Sequence, residues 1–306
     1  MNFINVEQMT AKYGINIVST KTLTERATLI EADNGKTFVL KQKESMEAFQ
    51  REHELLWHSS TKGFPVQQPV VSQTNHCLIH HQNKCYVMYT YLKGKPFSSA
   101  ECLQDPIAST LLGTSIANMH RSLYSFEANG GWKHSNLYQM VYGFAVKGIV
   151  TGMCSERLGF IYALLEEKIK MLSTTLPKQL IHRDAHIHNM IFHDNELAGV
   201  IDFDLAEVNH KLFDLCYCAT SVLSEVFYND ELREMWPAFV HRLIEAYDHE
   251  WALSDSERSA VWYMMLIIQT IFMAFFRKDQ ALFEMNEAMF LWIYDHQSVL
   301  SFDKPF

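Results

Sequence analysis

The chain has 306 residues, nearly half of them hydrophobic, with few Gly and Pro and a formal net charge of −9. That acidic balance argues against general nucleic-acid binding, and the six scattered cysteines suggest neither a disulfide framework nor a zinc site. The most apolar stretch, Tyr263 to Phe276, is interrupted by Gln269 and too short to span a bilayer; with no signal-like apolar run at the N-terminus, a helix-rich cytoplasmic protein with no membrane role is expected.

In chain order, Val6 to Tyr13 reads as a short helix ended by Gly14, and Ile15 to Val18 starts a first strand. Ala27 to Ala32 and Thr37 to Gln42 form a hairpin around Asp33-Asn34-Gly35. Lys41 closes the apolar run Phe38-Val39-Leu40 and shares a face with Thr37 and Val39. A helix follows over Met46 to Ser59 with Ser45 as N-cap. On it Phe49, Glu52, Leu55 and Leu56 make one stripe. A carboxylate inside an apolar stripe needs a partner, and Lys41 is the expected one. Cys77 to His80 and Cys85 to Tyr91 are two further strands around the polar turn from His81 to Lys84. After Leu92 both composition and period change, which sets a boundary.

Beyond it the pattern is helical. Asp105-Pro106 opens a helix carrying Ile107, Leu111, Leu112, Ile116 and Met119, with His120 expected to be structural. Phe126 to Ser135 reads as a loop, and Met140 to Val150 and Glu156 to Leu172 as helices around Gly152. Three apolar helices, 231–249, 255–276 and 280–298, complete the chain. Between these helical groups lies Leu180 to Phe203, LIHRDAHIHNMIFHDNELAGVIDF. Met190 to Phe192 and Ala198 to Ile201 are two short strands turned by Asp194-Asn195. Asp184, Asn189 and Asp202 are the chemistry-bearing residues of this run. Phosphoryl transfer needs one carboxylate for the hydroxyl proton and two hard oxygen ligands for Mg²⁺.

The order His182-Arg183-Asp184, Asn189, Asp202-Phe203 resembles the kinase catalytic-loop signature, with Asp204 in place of the usual glycine. The run Ile201-Asp202-Phe203-Asp204-Leu205-Ala206, followed by Leu212-Phe213-Asp214-Leu215, most resembles the aminoglycoside phosphotransferase, choline kinase and homoserine kinase superfamily. The resemblance implies an α+β, protein-kinase-like two-lobed fold: an N-terminal antiparallel β-sheet lobe with one key helix (1–92) and a larger, mostly helical lobe (93–306) for catalysis and substrate binding. It implies ATP and Mg²⁺ as cofactors and a small-molecule alcohol as acceptor. Asp184 would take the hydroxyl proton, and Asn189 and Asp202 would ligate Mg²⁺. Lys41, paired with Glu52, would reach the α- and β-phosphates. The backbone at Tyr89, Thr90 and Tyr91 would meet the adenine, with Val39, Ile191 and Ile201 also on the nucleotide side. Asp214 would brace the catalytic loop or cap its helix.

Three rival readings differ in what they require. A His/Asp metallohydrolase would use His182, His186, His188 and His193 but leaves Lys41, Glu52 and Asn189 without a job. A non-catalytic nucleotide-binding module is disfavoured because Lys41, Asp184, Asn189 and Asp202 are all present. A protein kinase would need an activation segment. Only a dozen positions separate Asp202 from Asp214, no Ala-Pro-Glu follows, and Arg183 has no obvious partner.

Overall fold

The computed structural model describes residues 3–124, 126, 131–151 and 155–302. Gly152 and part of the expected loop at 126–135 therefore lie outside the described residues. The chain forms two compact units: Met1–Gly94 with Ala198–Asp204, and Lys95–Leu197 with Leu205–Phe306. The sequence reading instead put the division after Leu92 and gave 198–204 to the second lobe.

The first unit begins with α1 (Phe3–Ala11), β1 (Ile17–Thr24), β2 (Ala27–Ala32) and β3 (Thr37–Lys43). It continues with α2 (Met46–Thr61), β4 (Leu78–His81) and β5 (Lys84–Thr90). Its five strands pair antiparallel in the order β1-β2-β3-β5-β4. At the tip between β4 and β5, Gln82 and Asn83 both take positive φ, +47° and +60°, which side chains capable of local hydrogen bonding tolerate best. Alternation divides the work of the sheet. Phe38 and Leu40 of β3 enter a core with Val6, Met9 and Tyr13 from α1 and Ile30, Tyr86 and Met88 from the sheet. Val39, Lys41 and Lys43 therefore face the other side. Helix α2 starts as expected at Ser45, whose hydroxyl accepts from the Ala48 N–H at 3.1 Å. It buries Phe49, Glu52, Leu55, Leu56 and Ser59.

The second unit contains α3 (Ser99–Gln104), α4 (Pro106–Tyr124), a π-helical turn at Gln139–Ala145, α5 (Val146–Val150) and α6 (Glu156–Thr175). The single helix expected over Met140 to Val150 is thus wound in two ways. Strands β6 (Lys178–Ile181), β7 (Met190–His193), β8 (Glu196–Val200, ending in the first unit) and β9 (Glu207–His210) follow. Asp194 and Asn195 make the expected turn, with φ of +49° and +60°. Helices α7 (Leu212–Val226), α8 (Asp230–Glu250), α9 (Asp255–Arg258), α10 (Val261–Phe275) and α11 (Gln280–Asp295) finish the unit. The helix expected over 255–276 is interrupted: the capping box Ser254–Glu257 starts α9, and the chain turns at Ser259-Ala260 before α10. No described helix is long and apolar enough to cross a membrane.

Candidate active site

In the second unit the Asp184 loop is built around one buried carboxylate. Asp214 lies in the first turn of α7, fully buried, and caps nothing there; the N-cap residue is Lys211. Its two carboxylate oxygens accept the backbone N–H groups of His182 and Arg183, each at 2.8 Å. The same carboxylate meets His120 Nε2 at 3.1 Å, and His120 Nδ1 meets the Tyr247 hydroxyl at 2.8 Å. His120 is therefore a buried spacer between two helices and the loop. Arg183 takes φ +72°, a strained value for a residue with a Cβ, held by both ends of its side chain. Its Nε donates to Glu207 at 2.7 Å, and its guanidinium lies 3.8 Å from the Phe213 ring centre. The expectation that Arg183 lacks a partner is corrected: Glu207, from β9, is its partner.

Asp184 follows directly. Its N–H donates to His182 Nδ1 at 3.2 Å, and its carbonyl accepts from the His186 N–H at 2.9 Å. Asn189 closes the loop, its Nδ2 donating to the Asp184 carbonyl at 2.8 Å and to carboxylate Oδ2 at 3.1 Å. With that nitrogen committed, the amide oxygen of Asn189 is the atom left for a cation. A hydrogen bond from the Tyr217 side chain also reaches Asp184; burial first, then this carboxylate, pushes the phenol far above its usual range. Among the described residues no three His, Cys, Asp or Glu side chains are grouped to hold a metal, and the histidines of this loop make local contacts. His186 Nδ1 accepts the His188 N–H, and His188 Nε2 meets Glu225 at 2.6 Å.

The first unit assembles the charged half. Asp202 takes φ +67° just beyond β8, and its carboxylate and that of Asp204 are about 38% exposed. Lys41 contacts Asp202 and also lies 2.9 Å from Asp204. Lys43 lies 2.5 Å from Asp204 and 2.5 Å from Glu52. Glu52 is buried mid-stripe as expected, but its partner is corrected from Lys41 to Lys43. The reason is the length of β3. It runs one residue past the expected end at Gln42, so two lysines occupy alternate positions on one face. The deeper one, 2% exposed against 15% for Lys41, meets the buried carboxylate. Burial lowers the Lys41 pKa, but the Asp202 and Asp204 carboxylates outweigh it and raise the net value. Burial would raise Asp204, yet Lys41 and Lys43 hold it down at about 2. Burial also raises Glu52, with Lys43 offsetting only part of the effect.

Tyr89 turns its side chain inward. It pairs with Val39 across the sheet, is buried, and gives its hydroxyl to Glu52 at 2.7 Å. Its side chain supports the ion pair, and the expected adenine contact concerns its backbone. The N–H groups of Thr90 and Tyr91 are taken by Gln68 and Thr37 carbonyls. Any base-reading edge here would have to use carbonyls or later residues. Val39 and Ile201 are half-buried in the first unit; Ile191 is half-buried in the second. As ligands, the Asn189 amide oxygen and the Asp202 carboxylate are hard donors that suit Mg²⁺, and Lys41 suits a polyphosphate.

The family model described as "Phosphotransferase enzyme family" (APH) matches residues 23–258. A homoserine kinase of Beijerinckia indica is 24% identical over 168 residues, 54% of this chain and 50% of that protein. The chain thus spans about half the length of the homoserine kinases it matches first. Among solved structures, an amicoumacin kinase in complex with AMP-PNP, Ca²⁺ and Ami aligns with TM-score 0.72 at 15% identity, over 100% of this chain and 96% of its own. A microcompartment-associated aminopropanol kinase aligns with TM-score 0.70 at 14% identity, over 98% and 99%. The fold is the α+β, kinase-like fold of these proteins. The family match, which runs through most of both units, makes the chain a member of the phosphotransferase enzyme family.

Proposed function

We propose that the chain transfers the γ-phosphoryl group of ATP to a hydroxyl of a small molecule. The observation that carries this reading is the Asp184 loop. One carboxylate is oriented by Asn189 and fixed through two backbone N–H groups on Asp214, beside Tyr217 and His186. In this role Asp184 orients the acceptor hydroxyl and takes its proton. Lys41 holds the phosphates, exchanging carboxylate partners for phosphate oxygens. Lys43 keeps Glu52 and Asp204 in place. Asn189 and Asp202 would hold Mg²⁺, which when bound neutralises charge on the phosphate oxygens. The solved relatives with AMP-PNP or GDP support a nucleotide as donor.

The test is Asp184→Asn. Turnover on Mg-ATP with an accepted alcohol should fall by about two to four decades while nucleotide affinity, measured by calorimetry, stays within about threefold. Near-normal turnover in this variant would remove Asp184 from the chemistry.

A further inference from the structure

Asp184 has a neighbour that the proposed chemistry leaves without a task. The backbone of His186 is fixed between the two loop residues that carry that chemistry. Its N–H goes to the Asp184 carbonyl at 2.9 Å, and its carbonyl accepts the Asn189 N–H at 3.0 Å. The ring is held as well. His186 is the N-cap of the short 3-10 turn Ile187–Asn189, and its Nδ1 accepts the His188 N–H at 3.2 Å. A ring nitrogen that accepts carries a lone pair, so the proton of the neutral imidazole is on Nε2. Nε2 lies 3.6 Å from Asp184 Oδ2, with both side chains about one-quarter exposed. A backbone donor at one end of the ring thus turns an N–H at the other end towards the reacting carboxylate.

Neighbouring rings keep it there. Tyr217 meets His186 edge-on with 6.1 Å between ring centres, and His188 lies at 5.7 Å. His188 is itself tied to Glu225 at 2.6 Å, and Glu225 also accepts the Ser99 hydroxyl at 2.5 Å.

A cap requires only an acceptor, which Asn, Asp or Ser supplies with a shorter side chain. Capping alone leaves the Nε2 end of the ring unexplained. Asp184 Oδ2 already takes the Asn189 Nδ2 donor at 3.1 Å. One N–H on one oxygen is a pivot about which a carboxylate can still turn; a second, from another residue, restricts that rotation. At 3.6 Å the His186 contact is longer than a hydrogen bond. Catalytic hydrogen bonds are commonly long outside the Michaelis complex and tighten within it.

We propose that His186 is a positioning residue for phosphoryl transfer: its Nε2–H, aimed by the His188 N–H, joins Asn189 in holding the Asp184 carboxylate towards the acceptor hydroxyl. This role rests on the phosphotransfer reading, in which Asp184 meets that hydroxyl. The proton that leaves the hydroxyl stays with Asp184. His186 has Nδ1 engaged and Nε2 already protonated, so it donates and does not relay.

Two variants separate the ends of the ring. Asn places an amide oxygen near Nδ1 and keeps the cap without the donor; Gln places an amide N–H near Nε2 and keeps the donor without the cap. ADP release from Mg-ATP is followed with homoserine, with 1-amino-2-propanol and with water alone as acceptor. His186→Asn should lower kcat about ten- to a hundred-fold and leave the KM for ATP within about twofold, the loss expected when a reacting group is held out of place. His186→Gln should keep turnover within about fivefold of wild type. On the Asp184→Asn background, His186→Asn should cost less than about twofold more, because residues acting as one unit are not additive. In protein carrying isotope-labelled histidine, the ring-nitrogen NMR signals missing from His186→Asn identify His186. They should show a protonated Nε2 and an unprotonated Nδ1, and Asp184→Asn should move the Nε2 signal. Normal turnover in His186→Asn, a loss confined to His186→Gln, a full further loss on Asp184→Asn, or a ring protonated at Nδ1 would overturn the assignment. No ADP from wild type with any of the three acceptors would tell against the phosphotransfer reading and not against the contact. The contact falls if the Nε2 signal is unmoved by Asp184→Asn.

Discussion

Two carboxylate-centred clusters, one in each unit, are built on opposite principles. Asp214 is fully buried and held by fixed partners: two backbone N–H groups and the buried His120 ring. Asp202 and Asp204 are partly exposed, and the flexible ammonium groups of Lys41 and Lys43 satisfy them. Backbone donors cannot leave without unfolding the loop, so the first cluster is a fixed brace. An ammonium group on a long stem can exchange one anion for another, so in the proposed reaction the contacts of the more exposed Lys41 are the ones that phosphate oxygens would replace. Catalytic geometry belongs on the first kind of support and ligand exchange on the second.

The contrast is sharpest within the lysine cluster, where Lys41 and Lys43 have different depth. Lys43→Met would leave Glu52 buried without its cation, a loss of about 3–5 kcal/mol if the pair is fully desolvated. Lys41→Met touches only half-exposed carboxylates and should cost no more than about 1 kcal/mol. Urea unfolding of the two variants measures both. The double variant Lys43→Met/Glu52→Leu should recover most of the loss, because an apolar pair of similar volume often matches a buried ion pair. Equal destabilisation by the two lysine variants would mean that both belong to the exchangeable set.

The brace should give a smaller but different signature. Asp214→Asn keeps the shape and puts an NH₂ group against one of two backbone N–H donors. Leaving that donor unmet in a buried site costs about 1–3 kcal/mol. Because the loop that carries Asp184 depends on those two bonds, kcat should fall while the KM for ATP changes little. A rise in KM with unchanged kcat would show that the brace serves nucleotide binding and not the reacting carboxylate.

Most of the second cluster's address was readable in the sequence. The stripe on α2 put Glu52 inward, the hairpin signal placed β2 and β3, and the motif spacing singled out Asp184, Asn189 and Asp202. The partner of Glu52 was missed because the strand was ended at Gln42; continuing the alternation by one residue would have found Lys43. The role of the Tyr89 side chain was not legible, because its position in sequence does not say that its hydroxyl reaches a buried carboxylate. The brace was only half legible. An Asp opening a helix reads equally well as a cap, and its partners His120 and Tyr247 lie 94 and 33 positions away in sequence. Glu207 as the partner of Arg183 carried no local signal at all. It is supplied by the pairing of β6 with β9, a tertiary fact.

The smallest expected effect separates the two clusters by their response to acid and salt. The Asp204 carboxyl sits at about 2 in the fold against an ordinary value of 3.8, so the folded state binds its proton less readily than the unfolded chain. A depressed carboxyl contributes stability above the unfolded value; that contribution declines as pH falls below 3.8 and is gone once pH has passed through about 2. Screening by solvent at this partly exposed group brings the contribution down to about 0.5–1 kcal/mol. Wild type and Asp204→Asn should therefore differ by that amount at pH 6, and the gap should narrow steadily below pH 3.8. It should also shrink in 1 M salt, where the Debye length is about 3 Å. The Asp214→Asn deficit rests on a buried hydrogen bond and should survive the same salt. If both deficits vanish in salt together, the brace is electrostatic after all, and the distinction between fixed and exchangeable support fails.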